Sequence, residues 1–258
     1  MVHDAWDPRQ YQRFGAERAQ PFFDLLALVQ KRPAPRVLDL GCGTGALTAE
    51  AHGALGAART LGVDRSAAML AVAPVLPGLS FLQRTIEDVV AAPEHAGAYD
   101  VVLANASLHW VDDHAALLPR LWALLAPGGQ FAVQMPSNYA HESHAIAARL
   151  ARDDELKAAL GAERVVPVLT PERYAELVFA LRPARQRVRL EVYAHALPGR
   201  DDVLEWVKGT LLTWYQERLP PALFARFLER YRAELLAALP DERPYLYTFP
   251  RVFLWAER

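Results

Sequence analysis

Residues 37–48 read VLDLGCGTGALT. Glycines at 41, 43 and 45 alternate with other residues, directly after a short apolar run. Such a loop turns tightly and brings bare backbone close to a bound group. Asp39 stands just before it. Asp64 closes the next apolar run, 19 residues beyond Gly45, where an acid can accept hydrogen bonds from ribose hydroxyls. Two ligand classes suit this arrangement: a dinucleotide, which would lay its pyrophosphate on the loop, and S-adenosylmethionine, which would lay its methionine half there. The dinucleotide fingerprint is GxGxxG. Here the spacing is GxGxG, with Ala46 in the sixth place. Asp39 would repel a pyrophosphate and attract an ammonium group. A glycine turn that serves only the fold is the third reading.

The elements around the loop must hold it in place. "RVLDL" and "TLGVD" read as short buried strands, with "TGALTAEAHGAL" as the helix between them. "LSFLQRT", "YDVVLANASLHWV" and "QFAVQMP" continue as strands. Ser66 is placed to cap a helix, and "HAALLPRLWALLAPGG" reads as a helix stopping at Pro127-Gly128-Gly129. Strand and helix alternate five times, and the strands are near-continuous apolar runs. That predicts an α/β fold, a doubly wound parallel sheet covered on both faces. In such sheets ligands bind beyond the carboxyl ends of the strands. Helices are expected over 8–30, 141–160, 171–180 and 201–239, and late strands at "QRVRLEVYAHAL" and "YTFPRVFLWAE". The organisation expected is a lid helix over 1–30, a cofactor-binding core over 31–140, and the remaining core strands over 141–258. A helical cap inserted at about 199–246 would lie over the sheet's C-terminal edge.

The chain has 258 residues and a net charge of −2, so nothing in the whole-molecule electrostatics favours nucleic acid or an anionic membrane. Arg185, Arg187 and Arg189 would share one strand face without interleaved aromatics, which reads as a solvated face rather than an RNA platform. The single cysteine, Cys42, rules out an intrachain disulfide and any multi-cysteine zinc site. No metal site is expected. The first residues lack an apolar signal core and no run approaches a membrane span, so a cytoplasmic protein is expected, monomeric or weakly self-associating.

Further along, "LANASLHWV" (103–111), "VQMPSN" (133–138), "EWVKGT" (205–210) and "FPRVFLWA" (249–256) join the glycine loop and the opening "WDPRQYQRFGAERAQPFFDLL". Together these segments, spread over nearly the whole chain, resemble the trans-aconitate 2-methyltransferase family of class I S-adenosylmethionine-dependent methyltransferases. The resemblance implies a Rossmann-like sheet with a helical lid before the last strand. It also implies S-adenosylmethionine as cofactor and a small carboxylic acid as acceptor, with methyl ester and S-adenosylhomocysteine as products. On this reading Asp39, Gly41, Cys42, Gly43 and Gly45 line the methionine half. Asp64 holds the ribose. Arg65, Ser66, Met69, Thr85, Ile86 and Glu87 border the adenine, and Asn105 and Ala106 face the sulfonium. Thr85 stands where many class I enzymes carry an adenine-binding Asp, so the Ile86 amide is expected to take part.

Carboxylate methylation defines what the acceptor site needs. A carboxylate with a pKa near 4 is ionised at neutral pH and requires no general base. His109, Trp110 and Asn105 are therefore positioning candidates. Cations must hold the non-reacting carboxylates, and arginine offers a bidentate fork. Arg251 is the first candidate, with Tyr11, Arg18, His109, Trp110, Tyr139 and Trp206 as further acceptor contacts; Tyr231 could also wall the pocket. The family pattern has an arginine shortly after the "WVKGT"-like segment, where this chain has Thr213. Either the acceptor carries fewer carboxylates or Lys208 or Arg218 substitutes. Two alternatives stand beside this reading: an O-methyltransferase for another small acceptor, and a non-catalytic S-adenosylmethionine sensor.

Overall fold

A computed structural model describes residues 15–258, with side chains from Ala19 onward. One seven-stranded sheet runs through the molecule. Its strands are β1 (Arg36–Leu40), β2 (Arg59–Asp64), β3 (Leu79–Gln83), β4 (Tyr99–Asn105), β5 (Leu125–Pro136), β6 (Arg185–Leu197) and β7 (Tyr245–Glu257). The spatial order is β3-β2-β1-β4-β5-β7-β6. The pairs β3–β2, β2–β1, β1–β4 and β4–β5 are parallel, while β7 runs antiparallel to β5. Strand order reverses between β1 and β4, and in α/β sheets the crevice at that reversal takes the ligand.

The central strands are buried because their residues allow it: Val37, Leu38 and Leu40 of β1 and Val101 to Ala104 of β4 are at most 1% exposed. Edge strand β6 instead mixes half-buried and exposed positions, with only His195 and Leu197 buried. Two of its three arginines are engaged within the fold. Arg185 pairs with Glu257 and Arg189 with Glu191, and Arg189 also lies over the Phe253 ring.

Several elements differ from expectation, and the helix expected over 201–239 is three, Asp201–Lys208, Leu211–Gln216 and Pro221–Ala238. The helix expected to run to Pro127 ends at Ala123, and β5 begins at Leu125. Ala126-Pro127-Gly128-Gly129 lies inside the strand, where the register against β4 shifts; the proline and glycines make a bulge rather than a helix stop. The expected helix over 141–160 is two helices, Glu142–Leu150 and Asp154–Leu160. The first described helix is Gly15–Leu26.

The described chain divides into two compact units. The larger comprises Ala16–Pro136, Pro167–Glu191 and Arg251–Arg258. Its core gathers the sheet's apolar residues with helices His114–Ala123 and Pro171–Ala180. The smaller comprises Ser137–Val166 and Val192–Pro250. Helices Glu142–Leu150, Asp201–Lys208, Leu211–Gln216 and Pro221–Ala238 pack there around Trp206, Tyr215, Phe227, Tyr231 and Tyr247. Each of these rings is at most 2% exposed, and truncating one such buried ring costs about 3–5 kcal/mol.

Candidate active site

The loop after β1 is fastened to the end of β2. Gly41 and Cys42 amides both donate to the Val63 carbonyl, at 2.8 and 2.9 Å. All three loop glycines have left-handed φ, which side chains disfavour. Their surroundings divide their roles. A Cβ at Gly41 would stand 2.3 Å from the Ser107 Cβ, and one at Gly45 would stand 2.4 Å from the Phe81 ring. A Cβ at Gly43 would meet nothing within 4 Å. Gly41 and Gly45 let the loop pack, whereas Gly43 presents bare backbone to open space.

Two acids flank that backbone. Asp39 is 3% exposed and accepts a hydrogen bond from Thr48 Oγ1 at 2.6 Å. Burial pushes its pKa up to about 6, against the opposing effect of Thr48, and the nearby Asp64 charge adds to the rise. A cation placed beside Asp39 would relieve both burial and repulsion. Asp64 accepts from the Gly43 amide through Oδ2 (2.8 Å) and from the Ser66 amide through Oδ1 (2.9 Å). A carboxylate offers about four acceptor positions, so Asp64 shapes the loop and keeps lone pairs for hydroxyls. Burial pushes the Cys42 thiol up and keeps it protonated.

The positions expected to border adenine have varied duties. Ser66 caps the short helix Ala67–Leu70, accepting from the Met69 amide, and Met69 is buried. The Thr85 hydroxyl is taken up by a capping box with Asp88. Ile86 begins that helix and is half-buried, while Arg65 and Glu87 are exposed.

The loop after β4 sits against the glycine loop. Ser107 Oγ donates to the Leu40 carbonyl at 2.6 Å. Ala106 holds a left-handed φ of 50° and its amide donates to the Gln134 carbonyl at 2.8 Å. Backbone strain of this kind persists where the surroundings over-determine it, commonly at functional sites. With the Gln134 amide oriented by its neighbours, its NH2 donates to Asn105 Oδ1 (2.8 Å). Its oxygen accepts from an Arg251 guanidinium nitrogen at 2.9 Å. Asn105, Gln134 and Arg251 thus form a polar chain across the ends of β4 and β5 and their β7 partner. His109 and Trp110 follow in a short helical turn, ring centroids 4.8 Å apart.

Sequence reasoning missed His114. It is buried, its Nε2 lies 2.9 Å from the Leu108 carbonyl, and its Nδ1 meets the Tyr174 hydroxyl. These partners place the proton on Nε2. Burial holds the imidazole below its usual pKa, so it stays neutral and pins the turn carrying His109. Its position beside the Asp113 cap carries no sequence signal that separates this from a surface histidine.

Tyr139 and Trp206 belong to the smaller unit. Tyr139 sits edge-on to His144 with centroids 5.2 Å apart, and Trp206 packs in the aromatic core against His195 and Phe249. Tyr231 is fully buried, its hydroxyl donating to the Ser143 carbonyl. Tyr11 and the Arg18 side chain lie outside the described residues. Thr213 donates to the Lys208 carbonyl. Neither proposed substitute cation is spare: Lys208 pairs with Glu205 at 2.5 Å, and Arg218 lies over Trp214 and meets Glu217. Among the described residues no cluster of three His, Cys, Asp or Glu could hold a metal ion, and no helix is long and apolar enough to cross a membrane.

Residues 11–178 match the family described as a methyltransferase domain. The chain is 43% identical to the trans-aconitate 2-methyltransferase of Deinococcus radiodurans, over 98% of each chain. It is 39% identical to the enzyme of that name from Paracidovorax citrulli, over 100% of this chain and 99% of the relative. The chain belongs to the trans-aconitate 2-methyltransferase family. This methyltransferase shares its fold with the Bacillus YcgJ protein, at a TM-score of 0.60 and 14% identity over 93% of this chain and 98% of that one. It also resembles a Haemonchus contortus phosphoethanolamine N-methyltransferase solved with S-adenosylmethionine, at a TM-score of 0.53 and 17% identity over 93% of this chain and 52% of that one.

The cofactor is therefore S-adenosylmethionine. The residues fit it. Open backbone at Gly43 lies between a buried acid suited to an ammonium group and a loop-bound acid suited to ribose hydroxyls.

Proposed function

We propose that this enzyme forms a methyl ester on one carboxylate of a small polycarboxylic acid, with trans-aconitate as the acceptor. The observation that supports this most is full-length likeness to enzymes of that name, at 43% identity in the first relative. When bound, the cofactor supplies an electrophilic methyl group on a sulfonium. Asp39 would hold its ammonium group, Asp64 its ribose and Gly43 its backbone-facing edge. Ser66, Met69 and the start of the helix at Ile86 would border the adenine.

The residues then act by placing the acceptor. An ionised carboxylate needs no base, so holding oxygen, methyl carbon and sulfur in line is the main task. Arg251, 4% exposed and held against Gln134, would take a carboxylate by charge-assisted hydrogen bonds, with Asn105, His109 and Trp110 fixing position. Tyr11 and Arg18 would also contact the acceptor. We place the protein in the cytoplasm, with no nucleic-acid or membrane partner.

Methyl transfer from labelled S-adenosylmethionine to mono-, di- and tricarboxylic acids tests the reading. Ester formed on trans-aconitate is the expected result. Transfer to a phenol or alcohol but to no acid would replace it with the other small-acceptor reading, and cofactor binding without any transfer would favour a sensor.

A further inference from the structure

The side-chain amide of Gln134 is held in one orientation. It is fully buried near the carboxyl end of β5, in register with Asn105 of β4. Two donors meet its oxygen: an Arg251 guanidinium nitrogen at 2.9 Å and the Met135 backbone amide at 3.2 Å. A guanidinium has five N–H groups and no acceptor, and a backbone N–H can only donate. Turning the Gln134 amide over would set its NH2 against both, and buried donors left unsatisfied are costly.

That orientation passes to Asn105. The Gln134 NH2 donates to Asn105 Oδ1 at 2.8 Å, and turning Asn105 over would put NH2 against NH2. The Asn105 oxygen is therefore committed to Gln134, and its own NH2 is the group left over. Asn105 is half-buried at the last position of β4, and no described residue takes up its Nδ2. The chain turns at once beyond it: Ala106 takes its left-handed φ and its amide donates to the Gln134 carbonyl. Three residues on neighbouring strands, all of the larger unit, thus transmit one polarity. The donor-only cation at one end dictates a donor at the other. An amide that presents NH2 suits a carboxylate oxygen; presenting its oxygen, it would suit the proton of an amine or hydroxyl.

We propose that Gln134 is a positioning residue for methyl transfer: by facing its oxygen to Arg251 it fixes Asn105 as an N–H donor to a carboxylate of the acceptor. The assignment rests on reading the acceptor as a small polycarboxylic acid. The methionine half of the cofactor carries the other carboxylate that could meet this donor. The same polarity selects against an amine acceptor, to which Asn105 offers no oxygen.

A double-mutant cycle on the full-length enzyme tests this. Gln134→Glu keeps the side chain's size and its contact with Arg251, but an ionised carboxylate cannot donate, so Asn105 must turn its NH2 inward and its oxygen outward. Asn105→Leu removes the donor. Calorimetric titration of enzyme saturated with S-adenosylhomocysteine reads the binding of tricarballylate, a non-olefinic tricarboxylic acid. Each single variant should weaken that binding about 10- to 100-fold, the range of a charge-assisted contact. Gln134→Glu should cost at least about threefold less in the Asn105→Leu background than in wild type, because its route through Asn105 is then gone. Additive effects, unchanged binding in Asn105→Leu, or no binding by wild type each overturn the proposal. Affinity for S-adenosylhomocysteine should stay unchanged in both variants; coupling that appears there instead overturns the assignment to the acceptor and gives the donor to the cofactor's carboxylate. With trans-aconitate as acceptor the same coupling should appear in KM, whereas a purely structural role would lower the melting temperature and leave KM alone. If wild type methylates no acid, the functional reading fails by itself and the titration still judges the donor. If Gln134→Glu does not fold, Asn105→Asp leaves Gln134 untouched and turns an oxygen outward. It should weaken tricarballylate binding at least about tenfold; no change there counts against the proposal.

Discussion

Asp39 should make the cofactor-free enzyme less stable as pH rises, and Asp39→Asn should remove that effect. Its carboxyl is raised from 3.8 to about 6 in the folded protein, chiefly by burial. The native state therefore holds this proton to a higher pH than the unfolded chain does. Between about pH 4 and 6 the native state binds more protons, so the Asp39 contribution falls as pH rises through that window and is fully unfavourable above it. At 1.36 kcal/mol per pK unit, a rise of about 2 units costs about 3 kcal/mol. About half of that change, roughly 1.5 kcal/mol, develops between pH 5 and pH 8.

Urea unfolding at pH 5, 6, 7 and 8 without cofactor measures it for wild type and Asp39→Asn. The informative quantity is the stability gap between the two and its change with pH, because imperfect mimicry by Asn is constant and cancels. That gap should shift in favour of Asn by about 1.5 kcal/mol from pH 5 to pH 8. The same variant should bind S-adenosylhomocysteine at least about tenfold more weakly, since a charge-assisted hydrogen bond contributes about 1.5–3 kcal/mol. A constant gap across the four pH values would refute the argument that the fold burdens Asp39. Unchanged affinity alongside a shifting gap would show a strained acid that does not face the cofactor.

Three further perturbations separate the roles of neighbouring residues. Gly43→Ala should cost only about 1–2 kcal/mol, for a left-handed φ with open space around it, yet weaken cofactor binding. Gly41→Ala should cost about 3–5 kcal/mol because its Cβ also collides with Ser107; thermal melts and cofactor titration distinguish the pair, and equal destabilisation would undo the division of roles. Tyr174→Phe should lower stability by about 1–3 kcal/mol, leaving buried His114 Nδ1 without its donor. It should also reduce kcat by loosening the turn at His109, and unchanged kinetics would make His114 a purely structural residue. Arg251→Ala should raise the acceptor's KM and spare cofactor affinity, with steady-state kinetics on the methylated acid as the check; an unaltered KM would move the acid site elsewhere.

The glycine loop and the strands around it were legible because both signals are local. Three alternating glycines and short apolar runs announce β1 to β5 without any tertiary information. The bulge at Pro127 to Gly129 was not, since the same three residues end a helix in isolation and only pairing with β4 shows them inside a strand. The difference between Gly43 and its two neighbours was also hidden. Identical residues at regular spacing look equivalent until Ser107 and Phe81, far along the chain, are placed against two of them. Asp64 has a duty that spacing does not show: its bonds to the Gly43 and Ser66 amides, which make it a shaper of the loop, depend on how the turn closes.

These particulars bear on where catalytic effort is spent. Methylating an oxygen that must first lose a proton calls for a base near neutrality. Burial holds the imidazoles of His114, His141 and His144 below their usual pKa, and His114 pins a loop. Meanwhile the fold keeps a buried acid at Asp39 and strained backbone at Ala106. Each is unfavourable alone. An acceptor that is already ionised makes this allocation sensible: the chemistry asks for neutralised charges and fixed distances, and the sequence places its costs at the positions that bind and orient rather than on a proton relay.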